Sequence, residues 1–206
     1  MTLDLPLFQA INSFAAHTSW LHGPVLAYTT VGIVLLCLAL AGGWWMARRA
    51  RNPSAMAAAL WAPIGVLAAV GINQPLVATV HEGRPYAALP NILVLATRST
   101  DPSFPSDHAV MAGAVIAGIF LVTRGWLAWS ALAAGLLLAF SRVYIAAHYP
   151  HDVLAGLLLG AAVNLVGYLV LHRPLTALVR AAERSALRPL LTPAPATHPQ
   201  GDRSRT

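Results

Sequence analysis

The chain contains no lysine, one cysteine and seven acidic residues in 206 positions. Charged residues make up 10% of it, against about 25% in an ordinary soluble domain. With 57% hydrophobic residues and a mean hydropathy of +0.64, that shortage of charge excludes an ordinary soluble domain and points to a membrane protein. The lone Cys37 lies inside an apolar run. It excludes an internal disulfide, argues against a cysteine metal site and leaves the redox compartment open. The N-terminus lacks a basic region and carries Asp4, which argues against a cleaved signal peptide. There is no internal repeat, GxGxxG or phosphate-binding P-loop pattern.

The net charge of +6 is carried by 13 arginines. They are not interleaved with aromatics on one polar face, so a nucleic-acid partner is not expected. Most stand between apolar runs, where arginine reports membrane orientation.

A membrane-spanning helix needs about 20 apolar residues. The runs Gly23–Ala47, Pro53–Val80, His108–Thr123, Trp126–Phe140 and Val153–Leu171 fit five spans, the third and fourth being short in apolar length. Between Leu5 and Leu21, Leu7, Phe8, Ile11, Phe14 and Ala15 recur at helical spacing with Gln9, Asn12 and Ser13 among them. That pattern fits a helix lying in the interface, with a sixth span as the alternative. The expected fold is an all-α integral membrane bundle of five or six helices. One phosphatase-like domain over residues 1–190 would precede a disordered cytoplasmic tail, 191–206.

Alternating the spans puts Arg48, Arg49, Arg51, Arg124, Arg173, Arg180, Arg184 and Arg188 on one side. By the positive-inside rule that side is cytoplasmic. Arg84, Arg98 and Arg142 fall on the other side, with the segment from His81 to Pro105 and the turn from Arg142 to His151. The tryptophans Trp44, Trp45, Trp126 and Trp129 sit near segment ends, as interfacial belt residues do.

Three polar clusters share the outward side: Glu82-Gly83-Arg84-Pro85, Ser103-Phe104-Pro105-Ser106-Asp107-His108, and Ser141-Arg142 followed by His148 and Asp152. Ser106 precedes an apolar helix and is a natural N-cap. The free amides of Asp107 and His108 could then receive an anion. Pro150 suits a first helical turn, which would set Asp152 in that turn and His148 just ahead of it. An Asp so placed can accept a hydrogen bond from the His148 ring and orient it as a nucleophile. Arg84 and Arg142 supply forks for phosphate oxygens, and His108 can protonate a leaving oxygen. Arg98 reads as a solvated loop charge. Glu82 could pair with Arg84 or lie in water.

The second and third clusters resemble the signature of the type 2 phosphatidic acid phosphatase (PAP2) family: Pro-Ser-Gly-His, then Ser-Arg-x5-His-x3-Asp. The third motif matches in full at Ser141, Arg142, His148 and Asp152, and the second at Pro105, Ser106 and His108 with Asp107 replacing glycine. The wider Ser-Phe-Pro-Ser-Asp-His-Ala string resembles the bacterial undecaprenyl pyrophosphate phosphatase, or bacitracin-resistance, branch. The resemblance implies phosphorylation of His148, orientation by Asp152 and leaving-group protonation by His108. It also implies phosphate binding by Arg84, Ser106, Arg142 and the Asp107 amide, with no metal or other cofactor. One departure stands out. The family's first motif, Lys-x6-Arg-Pro, has Val77 at the lysine position, so one phosphate contact is either missing or supplied by Asn73, Gln74, His81 or Arg98.

The expected activity is hydrolysis of a membrane lipid phosphate or pyrophosphate, with undecaprenyl pyrophosphate as the substrate the resemblance implies. Phosphatidic acid or phosphatidylglycerophosphate is the enzymatic alternative. Non-catalytic binding or transport of a lipid phosphate is the other. The expected location is the inner (cytoplasmic) membrane, with the site facing outward.

Overall fold

The structure, a computed structural model, describes residues 4–193. Among them every regular element is helical. α1 spans Asp4–His17, α2 His22–Ala50, α3 Pro53–Val80, the short α4 Pro85–Ala88, α5 Asp107–Val122, α6 Trp126–Tyr144, α7 Pro150–Ala182 and the short α8 Arg188–Leu191. A single 3-10 turn, Ser19–Leu21, joins α1 to α2.

α2, α3, α6 and α7 are long and apolar enough to cross a membrane. Their outward faces carry exposed residues such as Leu38, Leu67, Leu158, Leu169 and Val170, as a lipid-facing surface requires. α5 is shorter, 16 residues or about 24 Å, and its buried residues recur through every turn, from Ala109 to Ile119. It nevertheless runs from one end of the bundle to the other. Ala109, in its first turn, packs with Phe8, Val143 and Val153. Val122, its last residue, packs at the opposite end with Ala47, Met56 and Val179. The five expected segments therefore correspond to the four long helices and the shorter, enclosed α5.

Small residues let the central helices approach closely. A Cβ on Gly160 of α7 would lie 2.0 Å from the Val110 carbonyl oxygen, and one on Gly113 of α5 would lie 2.1 Å from that of Leu157. One buried polar side chain pins three helices together. Asn164 donates from Nδ2 to the carbonyls of Ala62 on α3 (3.1 Å) and Ala114 on α5 (2.9 Å). The Trp61 indole donates to the Asn164 carbonyl at 2.9 Å.

α1 is 14 residues long, about 21 Å, short of the roughly 30 Å hydrocarbon core. It packs across the end of the bundle that carries the three polar clusters. Phe8 is fully buried with its ring 5.5 Å from that of Tyr149. Asn12 exchanges two hydrogen bonds with the backbone of Leu93, 2.7 and 3.0 Å.

At the arginine-rich end, Asn52 caps α3 through the amides of Ser54 and Ala55, and Pro53 takes the first helical position, where no amide is needed. Arg48 donates to the Pro189 carbonyl at 2.8 Å, so α8 folds back beneath α2. α7 continues to Ala182, beyond the apolar run that stops at Leu171, and carries His172, Arg173 and Arg180 as helical residues. Leu191 is buried against this end. Of the tail expected to be disordered, residues 194–206 lie outside the described residues.

Candidate active site

The three polar clusters meet at one end of the bundle. The C-terminal end of α3 and the connection from His81 to Ser106 form one wall, the first turn of α5 another, and the α6–α7 turn a third. Between them lies a cleft of about 770 Å3. Arg84, Arg142, His108, Asp107 and His148 line it. Ser106 and Asp152 are fully buried just behind them.

His148 lies in the turn that ends α6. The amides of Ala147 and His148 both bond the Arg142 carbonyl (3.0 and 3.3 Å), which fixes the ring beside the arginine. Ala146, at φ 61°, makes the reversal. Nδ1 of His148 lies 2.8 Å from the Ser103 carbonyl oxygen. That oxygen can only accept, so Nδ1 carries the proton and Nε2 keeps its lone pair. Nε2 faces Nη1 of Arg84 at 3.4 Å. Burial pushes the His148 pKa below its ordinary value. Asp152 opposes this shift, while Arg142 and Arg84 reinforce it.

Asp152 sits in the first turn of α7, as expected, with Pro150 opening the helix and His148 just before it. It stands behind the ring at the long end of contact range. Its Oδ2 is 3.5 Å from Nδ1, outside good hydrogen-bond range. That oxygen accepts instead from the Ser103 hydroxyl and from the Tyr149 amide at 2.8 Å. Ser103 thus stands between the two, giving His148 its carbonyl and Asp152 its hydroxyl. Sequence reasoning placed Ser103 in the second cluster and gave it no role. A main-chain carbonyl leaves no mark in side-chain identity.

Ser106 occupies the N-cap position of α5, but its hydroxyl makes no capping bond. Its Oγ and Nε of Arg142 are buried without a hydrogen-bond partner. Unpaired buried donors beside a cleft are groups that an oxyanion could satisfy. Arg84 is braced at the cleft, donating to the carbonyls of Asp101 (2.9 Å) and Ala147 (3.2 Å).

Asp107, which replaces the motif glycine, is held from α3. Its Oδ1 accepts from Asn73 (2.7 Å) and Gln74 (3.1 Å). Val77, Gln74 and His81 line the cleft. Asn73 is fully buried and also donates to the Pro105 carbonyl. Arg98 lies over the Tyr86 ring, 5.7 Å from its centroid, and does not line the cleft. Of the four candidates for the missing lysine contact, Gln74 and His81 are at the cleft. Glu82 pairs with neither Arg84 nor water alone; it meets His151 at 3.0 Å.

Residues 58–175 match the family model described as the PAP2 superfamily. The undecaprenyl-diphosphatase BcrC of Bacillus subtilis is 30% identical over 79% of this chain and 81% of its own length. The bacitracin transport permease protein BcrC of Bacillus licheniformis is 32% identical over 77% and 75%. Two solved structures share the fold. LpxE of Aquifex aeolicus covers 81% of this chain and 94% of its own, with a TM-score of 0.59 at 21% identity. A PAP2-type phosphatidylglycerolphosphate phosphatase of Bacillus subtilis covers 79% and 83%, with a TM-score of 0.58 at 23% identity. The family match spans more than half of the chain, and the two BcrC relatives align over most of it. The chain therefore belongs to the PAP2 superfamily and is a multi-pass membrane phosphatase.

Proposed function

We propose that the protein hydrolyses a polyprenyl diphosphate, undecaprenyl pyrophosphate, to its monophosphate through a phosphohistidine on Nε2 of His148. The observation that carries the mechanism is the 2.8 Å approach of Nδ1 of His148 to the Ser103 carbonyl oxygen. With Nδ1 committed to the Ser103 carbonyl, the Nε2 lone pair stands beside the Arg84 guanidinium, where a bound phosphoryl group would be attacked.

In this reading Arg84, Arg142, the Ser106 hydroxyl and the Asp107 amide hold the terminal phosphoryl oxygens. Nε2 attacks phosphorus in line, and the bond from phosphorus to the bridging oxygen breaks. His108 gives its proton to that oxygen as the lipid monophosphate leaves. Water then attacks the phosphohistidine, His108 takes a proton from it, and inorganic phosphate departs. Arginine forks and unpaired donors supply the charge stabilisation of such a transfer. The exposed apolar flanks of α3 and α7 support lateral entry of a lipid whose tail stays in the bilayer.

The choice of diphosphate rests on the two BcrC relatives. The eight arginines at the far end of the bundle support an outward-facing site in the cytoplasmic membrane. The test is phosphate release by the full chain in detergent with EDTA, from undecaprenyl pyrophosphate, phosphatidic acid and phosphatidylglycerophosphate side by side. Faster release from the pyrophosphate is expected, with loss of turnover in His148→Ala. Equal or faster release from the glycerolipids would replace the substrate. Normal turnover in His148→Ala would sink the histidine mechanism.

A further inference from the structure

His151 is used by none of the steps above, yet it is the most elaborately held side chain near the cleft. Its Nδ1 is 2.8 Å from Oδ2 of Asp4, on α1. Its backbone amide donates to the other Asp4 oxygen at 2.9 Å. Its Nε2 is 3.0 Å from Oε2 of Glu82 and 3.1 Å from Oδ1 of Asp152. Its ring lies between Phe104 and Tyr149, 5.5 and 5.8 Å away at interplanar angles of 26° and 20°. Phe104 immediately precedes the second motif at Pro105, and Tyr149 lies inside the third, next to His148.

Carboxylates accept and do not donate. A ring with a carboxylate oxygen against each nitrogen therefore carries both protons. The charged groups around it are Asp4 from α1, Glu82 from the α3–α4 connection and Asp152 from its own helix, with the Tyr149 hydroxyl the remaining titratable neighbour. Asp152 explains why this matters for chemistry. Its Oδ2 is taken by Ser103 and Tyr149, whereas Oδ1 is buried and accepts no well-aligned hydrogen bond. The His151 imidazolium is the cation beside that oxygen.

We propose that His151 is a positioning residue: as an imidazolium clasped by Asp4 and Glu82, it balances the buried Oδ1 of Asp152 and couples the N-terminal helix to the support of the nucleophile. The inference rests on the reading of His148 as nucleophile with Asp152 behind it. Removing the imidazolium leaves Asp152 free to turn toward other donors, and the Ser103–His148 arrangement loses its anchor. Loss of one charged partner predicts about a 10-fold fall in kcat, with KM nearly unchanged because His151 touches no substrate.

The experiment compares the full-length protein with His151→Gln, His151→Lys and Asp4→Asn in detergent with EDTA, using undecaprenyl pyrophosphate. The expected result is a kcat about 10-fold lower in His151→Gln and partial recovery in His151→Lys, which restores the charge. Nitrogen-15 spectra of the histidine rings, assigned by difference from His151→Gln, should show both ring nitrogens of His151 protonated near neutral pH. Asp4→Asn should shift the Nδ1 signal. A singly protonated ring would overturn the proposal. So would wild-type kcat in His151→Gln, or equal losses in the Gln and Lys variants with matching losses of thermal stability. A divalent ion bound tightly by Glu82, His151 and Asp152, seen as a metal-dependent ring signal without EDTA, would also overturn it. If the wild-type protein turned over no lipid phosphate, the proposed mechanism would fail, while the ring spectra would still decide the clasp.

Discussion

Gly160→Ala adds one methyl group where α7 crosses α5. That Cβ would stand 2.0 Å from the Val110 carbonyl oxygen and 2.8 Å from the Ala114 amide nitrogen. Both neighbours are main-chain atoms of a helix enclosed by the bundle, so no side chain can swing aside. Ordinary contact begins near 3.4 Å, so the helices would separate by about 1.4 Å at this point. Overpacking of this kind costs about 3 kcal/mol, the upper part of its usual range. For a chain of this size that is a fall of about 6–12 °C in Tm. The same displacement moves the head of α7, with Asp152, against the head of α5, with Ser106 and His108. A shift of about 1 Å at a catalytic constellation can cost about 100-fold in rate, so kcat should fall further than the folded fraction does. Gly71→Ala on α3 is the control. Nothing lies within 4 Å of its Cβ, and losing a helical glycine there should stabilise by about 0.5–1 kcal/mol. The assay is thermal unfolding in detergent, followed by phosphate release well below the transition. A Gly160→Ala protein with wild-type Tm and kcat would refute the account of how α5 and α7 set the site.

Ser103→Ala keeps the carbonyl that holds His148 but removes the hydroxyl that Asp152 accepts. It should lower kcat by about 10- to 100-fold with little change in KM, measured by steady-state phosphate release. The His148 pKa is held below its ordinary value by burial, and the proposed mechanism needs it as the neutral ring. The acid limb of kcat/KM should therefore lie below about pH 6.5, the ordinary value for histidine. The stability of the protein should fall over the same acid range, because the unfolded chain takes up a proton before the folded one does; an acid limb at or above that value would contradict the burial argument. Asn164→Leu should lower Tm, since the carbonyls of Ala62 and Ala114 lose their donor inside the bundle, and unchanged melting would remove Asn164 as a pin.

Much of this architecture was legible as apolar length and punctuation. Pro53–Val80 was read to the residue, because Asn52-Pro53 starts the helix and the apolar run ends at His81. The third span differs by one residue at each end. α7 was read short because apolar counting stops at His172, whereas backbone hydrogen bonding continues as long as the local residues favour helix. That Arg84, His108, Arg142 and His148 share one side followed from alternating the spans, whereas their meeting in one cleft is seen only in the structure. The contacts that refine the site were not legible. Asp4 and His151 are 147 residues apart, and no periodicity links them. Ser106 stands at the N-cap by position, yet its hydroxyl is turned away from capping. The contact expected between Asp152 and His148 is present at 3.5 Å, and Ser103, which bonds both residues, was not foreseen as a part of it.

That carbonyl has a genetic consequence. A side-chain acceptor is lost by a single codon change, but a main-chain oxygen is present whatever residue is encoded at position 103. The proton on Nδ1, and with it the free lone pair on Nε2, therefore survives loss of the Ser103 hydroxyl in a change to the smaller alanine. Ser103 is fully buried, so a side chain larger than serine would displace the carbonyl as well as remove the hydroxyl. To erase the tautomer itself, a lineage would have to reshape the path of the chain between Glu82 and Ser106.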